Sequence, residues 1–384
     1  MTSILASPPK NRRFDTAAAI AYAANARGVT ALRIGVECVL LLAGRGKLPA
    51  REYFLQGAWQ PGIPMSERRA FLGARAVTAL NTALNPLRAD GVASILTDKL
   101  ACHARFTASG LPQPRILAVA ARLAPVTGEA WLASPEATLA FLAQPDVLPC
   151  FGKPIDGSHA EGGVSIMART AEGRLVLGNG HEVEAEALVE EIWRSYGTGY
   201  MFQELVHPHD GLAALVGPVI GSTRIVTVKA GNGPEVLYAV QRAPAAGQMV
   251  DSSTGRLGTY AAVDPATGQV IRAQARNQMG AVDLLKTALT GAVWPGAQLP
   301  GFSRAAEIAV AAHAAFPEHG ICGSDIFLSD RGPIITEINV NPDHYAYQTA
   351  HARGILNPEF APRLRAVRDR FRDLTPRPKH CPLA

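Results

Sequence analysis

The 384-residue chain has only five cysteines, Cys38, Cys102, Cys150, Cys322 and Cys381, placed singly along its length. With no Cys-x-x-Cys pair, neither a zinc site nor a disulfide framework is expected, and a reducing cytoplasm fits. Cys322 reads as a small buried residue. Long apolar runs are also missing. Cys38 to Ala43 is among the longest, far below the roughly 20 residues that span a bilayer, so no membrane span is expected. The N-terminus lacks the basic-then-apolar pattern and cleavage site of a secretory signal. No cluster of five or more Lys and Arg occurs, although the net charge is +5 and the pI about 9.0. Nucleic acid is therefore not the expected partner. A mild basic excess suits a cleft for phosphates and acidic substrates instead. The Ala-, Arg-, Pro- and Gly-rich composition looks like bacterial GC-rich coding.

Hydrophobic content of 48% and charged content of 18% describe an ordered chain. Its length suggests two or three lobes. Residues 1–95 read as a mostly helical lobe: Phe14 to Ala43 is helical, broken at Gly28, and a second helix runs from about Ser66 to Ala83. Residues 96–199 mix helices and strands. Asp98 to Gly110 is a short helix, and Ser134 caps another with Pro135 in its first turn. Residues 200–384 turn to strands (Tyr200 to Val206, Thr223 to Lys229, Glu235 to Gln241, Gly258 to Val263). A helix over Ser303 to Phe316, a hairpin, and a helix from Pro358 to Leu374 follow. Mixed elements without strict alternation give an α+β fold class.

The hairpin carries the most chemistry. Ile326, Phe327 and Leu328 form an apolar run, Ser329 to Gly332 supply a turn, and Ile334 to Ile338 resume the strand pattern. Alternation puts Glu337 and Asn339 on one face, and pairing brings Asp325 back beside them. Two carboxylates and an amide oxygen suit magnesium, which takes substrate phosphates as further ligands. A second constellation starts at Phe151-Gly-Lys-Pro154. It lacks the Gly-Lys-Ser/Thr ending of a P-loop. A strand presents Lys153, and a loop with Gly157, Ser158, Gly162 and Gly163 follows, able to bring backbone N–H groups close to phosphate. Lys99 opens a helix followed by Gly110-Leu-Pro-Gln-Pro114. Met201-Phe-Gln-Glu-Leu-Val206 reads as a strand with Glu204 near its end. Arg224 and Arg242 sit on two neighbouring strands, and the planar fork of Arg suits phosphate and carboxylate.

Asp, a hairpin, then Glu-x-Asn and Pro resembles the C-terminal metal motif of the ATP-grasp ligases. Gly46 to Phe54, Glu204 to Leu215, Ser222 to Thr227 and Asp264 to Gly268 extend the resemblance to the sugar-transfer-associated ATP-grasp family. One departure is Val250-Asp-Ser-Ser-Thr-Gly-Arg-Leu-Gly258, where that resemblance would place Val-Asp-Asn and a Gly-Gly. The resemblance implies two α+β lobes clasping ATP, with magnesium on Asp325, Glu337 and Asn339. Lys99, Lys153 and the glycine-rich flap would hold the phosphates. Glu204 and the Leu205 and Val206 backbone would read the adenine, and Arg224 and Arg242 would serve the transition state. His344, just after the metal motif, is the candidate general base. The implied reaction joins a small-molecule or sugar-linked carboxylate to an amine through an acyl phosphate, in a cytoplasmic enzyme that such ligases lead one to expect as a homodimer. A phosphotransferase, or a non-catalytic nucleotide-binding protein, would use the same nucleotide residues.

Overall fold

The computed structural model describes residues 3–6, 14–85, 98–125, 128–156, 161–196, 198–244, 249, 258–277, 279–370 and 381–383. Gly157, Ser158, His159 and the 250–257 departure lie outside them. Two seven-stranded sheets organise the chain. The first contains β1 (Ile116–Ala120), β2 (Trp131–Leu132), β3 (Cys150–Pro154), β4 (Val164–Arg169), β5 (Leu175–Leu177), β6 (Glu182–Val183) and β7 (Tyr200–Glu204), in the order β2-β1-β7-β3-β4-β5-β6. Two amphipathic helices, α7 (Pro135–Leu142) and α8 (Ala185–Ser195), cover one face of it. Phe141, Leu188 and Ile192 pack there on Ile166, Leu175 and Phe202. Ser134 accepts a hydrogen bond from the Ala137 amide at the start of α7, as its sequence suggested.

The second sheet holds β8 (Thr223–Val228), β9 (Glu235–Ala243), β10 (Thr259–Val263), β11 (Val270–Asn277), β12 (Gly280–Asp283), β13 (Ile321–Ser329) and β14 (Gly332–Asn339). Their order is β12-β11-β10-β9-β8-β13-β14. After the short α9 (Asp210–Val216), helix α10 (Phe302–Ala314) buries Phe302, Ala305, Ile308 and Ala312 on one face, against Ile225, Ile326 and Ile335. The other face is covered by α5 (Ala74–Leu84), α11 (Tyr345–His351) and α12 (Phe360–Arg370), with Leu80, Tyr347, Phe360 and Leu364 in the interior. Among the described residues no helix is long and apolar enough to cross a membrane.

The N-terminal helices cap the second sheet. Helices α1 (Thr16–Arg27) and α2 (Ala31–Ala43) are separated at Gly28, whose φ of 62° ends α1 in the left-handed region that glycine tolerates best. With α3 (Ala50–Leu55) they enclose Ile34, Tyr53, Phe54 and Trp59, and α3 meets the edge strand β12. The single helix expected over Ser66 to Ala83 is two: a one-turn α4 (Met65–Arg68) and α5. The break spans residues 69–73 and ends at Gly73, where a Cβ would stand 2.3 Å from the Lys47 carbonyl oxygen. Strand β7, expected to open the C-terminal lobe, sits in the middle of the first sheet between β1 and β3. Its consecutive Tyr200, Met201 and Phe202 are all buried, as a strand covered on both faces requires.

Candidate active site

A cavity of about 330 Å³ opens between the two sheets. Its walls come from helix α6 (Lys99–Ala108), strands β3 and β7 of the first sheet, the Gln113–Pro114 segment, and β14 of the second. Lys99, Lys153, Glu337 and Asn339, far apart in the chain, all line it. Asp98 caps α6 by accepting from the Leu100 and Ala101 amides at 2.8 and 3.1 Å, which fixes Lys99 in the first turn. Lys99 also ties to β3 through its backbone N–H and its Nζ, both directed at the Ile155 carbonyl. Lys153 projects from β3, and its cross-strand partner Met201 lines the same cavity two residues before Gln203.

The hairpin forms as the alternation predicts. In the β13–β14 ladder Asp325 faces Glu337 and Gly323 faces Asn339. The side chains of Glu337 and Asn339 make no hydrogen bond or ion pair among the described residues. Asp325 is nearly buried, and its two oxygens accept from Arg224 Nε and Nη2, the latter at 2.7 Å. Arg242 Nη1 lies 3.9 Å from Asp325. Burial raises the Asp325 carboxyl, but the Arg224 and Arg242 charges outweigh it and hold it below the usual carboxylate range. Asp325 does not itself line the cavity; it backs the wall beside Glu337.

Lys153 is the least compensated group. Burial pushes its ammonium down to about 8, with Glu337 opposing and Lys99 reinforcing the shift. Lys99 is lowered too, chiefly by burial, with Glu337 again the largest opposing charge. Lys153 makes no hydrogen bond among the described residues. Anionic oxygen in the cavity would compensate such a cation.

The donor set fits a magnesium ion with an incomplete protein shell. Glu337 and Asn339 offer unengaged hard oxygens, and the bidentate Arg fork leaves Asp325 further lone pairs. Among the described residues no three His, Cys, Asp or Glu side chains form a site that could hold a metal alone. Waters or ligand phosphates would have to complete the coordination, which is how magnesium is usually held.

Other expected residues are placed differently. Glu204 accepts from the Arg115 amide at 2.9 Å and from both Nη atoms of Arg331 at 3.2 and 2.8 Å. Burial raises its carboxyl, but the Arg331 fork and the Arg115 amide together lower it by more, for a net downward shift. It thus clamps the end of β7 to the hairpin turn. The cavity wall is Met201 and Gln203, while Glu204, Leu205 and Val206 stand outside it. Gly162 and Gly163 are buried: Gly162 N donates to Ala6 O at 2.8 Å, Ala6 N to Gly163 O at 3.0 Å, and Tyr200 Oη to Gly162 O at 2.7 Å. These contacts anchor the flap's end, with the Gly162 amide taken up by the Ala6 carbonyl.

His344 is not placed as a general base. It is fully buried, with Nδ1 2.9 Å from Tyr238 Oη and Nε2 2.9 Å from Asn81 Oδ1. Asn81 Nδ2 donates to Asn341 Oδ1 and the Pro342 carbonyl, so its Oδ1 must accept the Nε2 proton. Nδ1 then accepts from the tyrosine. Burial, with the Arg224 charge adding to it, drops the imidazole to about 3 and keeps this neutral tautomer. The network pins the segment that follows the metal-ligand pair.

Sequence reasoning missed Met201 and Gln203 as wall residues, along with Gln113 and Thr336. The signal was present: residues paired with or two positions from a partner of Lys153 share its face.

A family model described as sugar-transfer associated ATP-grasp matches residues 78–364. Solved structures similar to this chain include the VanG D-Ala:D-Ser ligase from Enterococcus faecalis, at 13% identity and a TM-score of 0.42 over 72% of this chain and 62% of that one. An L-amino acid ligase from Bacillus licheniformis matches at 14% identity and 0.40, over 71% and 48%. The N5-carboxyaminoimidazole ribonucleotide synthetase from Thermotoga maritima matches at 15% and 0.38, over 74% and 50%. The match therefore covers less than two thirds of each of these three chains. No curated protein matches the sequence.

Proposed function

The chain belongs to the sugar-transfer-associated ATP-grasp family and has the α+β ATP-grasp fold, and from that premise we propose that it is a ligase joining a carboxylate to an amine at the expense of ATP. The observation that carries this reading is the Lys153 ammonium, without a hydrogen-bond partner among the described residues, sharing a cavity with the oxygens of Glu337 and Asn339, likewise unengaged among them. Such a site calls for an anion and a cation together, as a metal–nucleotide complex supplies.

Lys99 and Lys153 bind the phosphates of ATP, and Met201 and Ile335 give the cavity apolar walls for the base. Magnesium held by Glu337, Asn339 and the free lone pairs of Asp325 would neutralise phosphate charge. The γ-phosphorus loses its bond to the β–γ bridging oxygen and gains one to a substrate carboxylate oxygen, releasing ADP. Arg224 and Arg242, on the interior strands β8 and β9, bring positive charge beside Asp325 behind the cavity wall, where preorganised cations favour the charge developing in transfer. A neutral amine then attacks the acyl carbon. The C–O bond to phosphate breaks, and the departing phosphate can take the amine proton. No protein nucleophile is needed, and His344 is not required as a base. The carboxylate is a small molecule or a sugar-linked acid, and the site is cytoplasmic.

The test is a screen of acids with amines for release of ADP and phosphate. A productive carboxylate labelled with ¹⁸O should pass one label to the released phosphate. Unlabelled phosphate would contradict an acyl-phosphate route. A stable phosphorylated product without phosphate release would make the protein a phosphotransferase. Glu337→Gln should lose turnover while keeping its thermal transition.

A further inference from the structure

Helix α2 is apolar on both sides. Ile34, Cys38 and Leu41 are buried, while Leu32 is 78% exposed, Val39 66%, Leu40 51%, Leu42 51% and Val36 49%. At 100° per residue these five exposed side chains cover an arc of about 160°. A helix apolar all round belongs in a core or in lipid, and a contiguous exposed apolar strip of this kind is unusual on a monomer. The neighbouring α1 adds Tyr22, 42% exposed, its ring edge-on to Trp59 at 5.4 Å.

The exposed charges on α2 and its flanking turns have one sign. Between Thr16 and Arg51 the sole carboxylate is Glu37. It is buried and ion-paired to Arg27 at 2.7 Å, Arg68 at 3.6 Å and Arg33 at 3.7 Å. Arg33 still exposes 65% of its side chain near the start of α2, and Arg45 and Lys47 are exposed just past its end. The outer face of α2 thus pairs an apolar strip with cations at both ends and carries no exposed acid of its own, the nearest exposed acids in sequence being Asp15 at the start of α1 and Glu67 on α4.

We infer that α2 is an interfacial helix that seats this protein on an anionic lipid surface. Thirteen residues make a helix about 20 Å long, too short to cross a bilayer and suited to lying in its plane. The apolar strip enters the acyl boundary, and Arg33, Arg45 and Lys47 meet the headgroup phosphates. Tyr22 has the amphipathic ring that favours this depth. A second copy of the chain is a poorer occupant. Two-fold packing of antiparallel α2 helices would set Arg33 of one copy against Arg45 and Lys47 of the other, with no exposed carboxylate on either α2 to offset them. The site lies apart from the cavity residues, so this inference stands whether or not the ligase reading does.

The test is co-sedimentation of the full chain with vesicles of phosphatidylcholine, and with vesicles of equal parts phosphatidylcholine and phosphatidylglycerol. Wild type should partition at least about tenfold more strongly onto the anionic vesicles, and added salt should reduce the difference. Each cation near the surface is worth about fivefold. The triple change Arg33→Gln, Arg45→Gln and Lys47→Gln should therefore weaken binding about a hundredfold. Leu32→Ser with Val39→Ser should abolish binding to both vesicle types while leaving the circular dichroism transition in place. Equal binding to both compositions, no binding, or wild-type binding by the double serine variant would overturn the inference. So would a dimer in sedimentation equilibrium that the serine variant converts to monomer, which would assign the face to a second copy.

Discussion

Replacing Asp325 with Asn keeps the shape of the side chain and one oxygen acceptor but removes its charge. Arg224, which grips both carboxylate oxygens, then loses its counter-ion, and Arg242, 3.9 Å away, loses a neighbouring charge; each is less than a tenth exposed. Breaking a buried ion pair by deleting one partner costs about 3–5 kcal/mol, because the remaining charge stays desolvated. The retained amide oxygen places Asp325→Asn near the lower end, at about 3 kcal/mol. Unfolding entropy of about 2.1 cal/mol/K per residue gives roughly 0.8 kcal/mol per degree for 384 residues, so the midpoint should fall by about 4 °C. Urea unfolding should show the loss in the midpoint with little change in slope. Adding Arg224→Met should recover part of it. The pH dependence has a definite sign. The folded carboxyl lies below its usual value of 3.8, so its contribution is complete above that value. It is lost as pH falls from 3.8 through the folded pKa. A change below about 1 kcal/mol, or none on further removing Arg224, would refute the claim that this triad is a coupled buried cluster.

Other consequences follow from the same geometry. Lys153 titrates at about 8 in the ligand-free protein, and phosphate favours its charged form, so ADP affinity should be flat below pH 8. Above it, calorimetric titration should show a loss of about tenfold per unit until the pKa of the complex is reached, and Lys153→Arg should remove the inflection. A flat profile to pH 9.5, about one and a half units past that pKa, would count against a lysine–phosphate contact. His344→Gln leaves Tyr238 and Asn81 poorly paired and should cost about 2–3 kcal/mol of stability, with turnover per folded molecule retained. Loss of turnover with unchanged stability would restore a catalytic role. Glu204→Gln loosens a clamp whose Arg331 partner is exposed, so it should change stability by less than about 1 kcal/mol and nucleotide affinity by less than about threefold.

Much of the site could be read along the chain because its signals are local. Strand alternation alone set Glu337 beside Asn339, and the turn at Ser329–Gly332 brought Asp325 opposite Glu337. The break at Gly28 and the cap at Ser134 are likewise contained within a few residues. What escaped depends on partners far away. Glu204 and Arg331 are 127 positions apart, and His344 is fixed by Asn81 and Tyr238. Nothing near His344 in sequence tells a buried, neutral imidazole from an exposed one. Strands β11 and β12 were not recognised. Gln274 and Arg276 look solvent-facing, yet Gln274 bonds Gln60 at 3.1 Å, and Arg276 lies between the Tyr260 and Tyr345 rings at 4.3 and 4.0 Å. Distant contacts that satisfy polar side chains erase the alternation by which a buried strand is normally detected.

The central claim is that the cavity between the sheets binds a magnesium–nucleotide complex. Thermal unfolding with a non-hydrolysable ATP analogue, with and without magnesium, tests it on wild type, Lys153→Ala and Glu337→Gln. At about 100 times its dissociation constant the ligand should add roughly 2.7 kcal/mol to wild type. Lys153→Ala should abolish this stabilisation, and Glu337→Gln should remove its magnesium dependence. A nucleotide shift that survives both substitutions, or no shift in wild type at any magnesium concentration, would contradict the account.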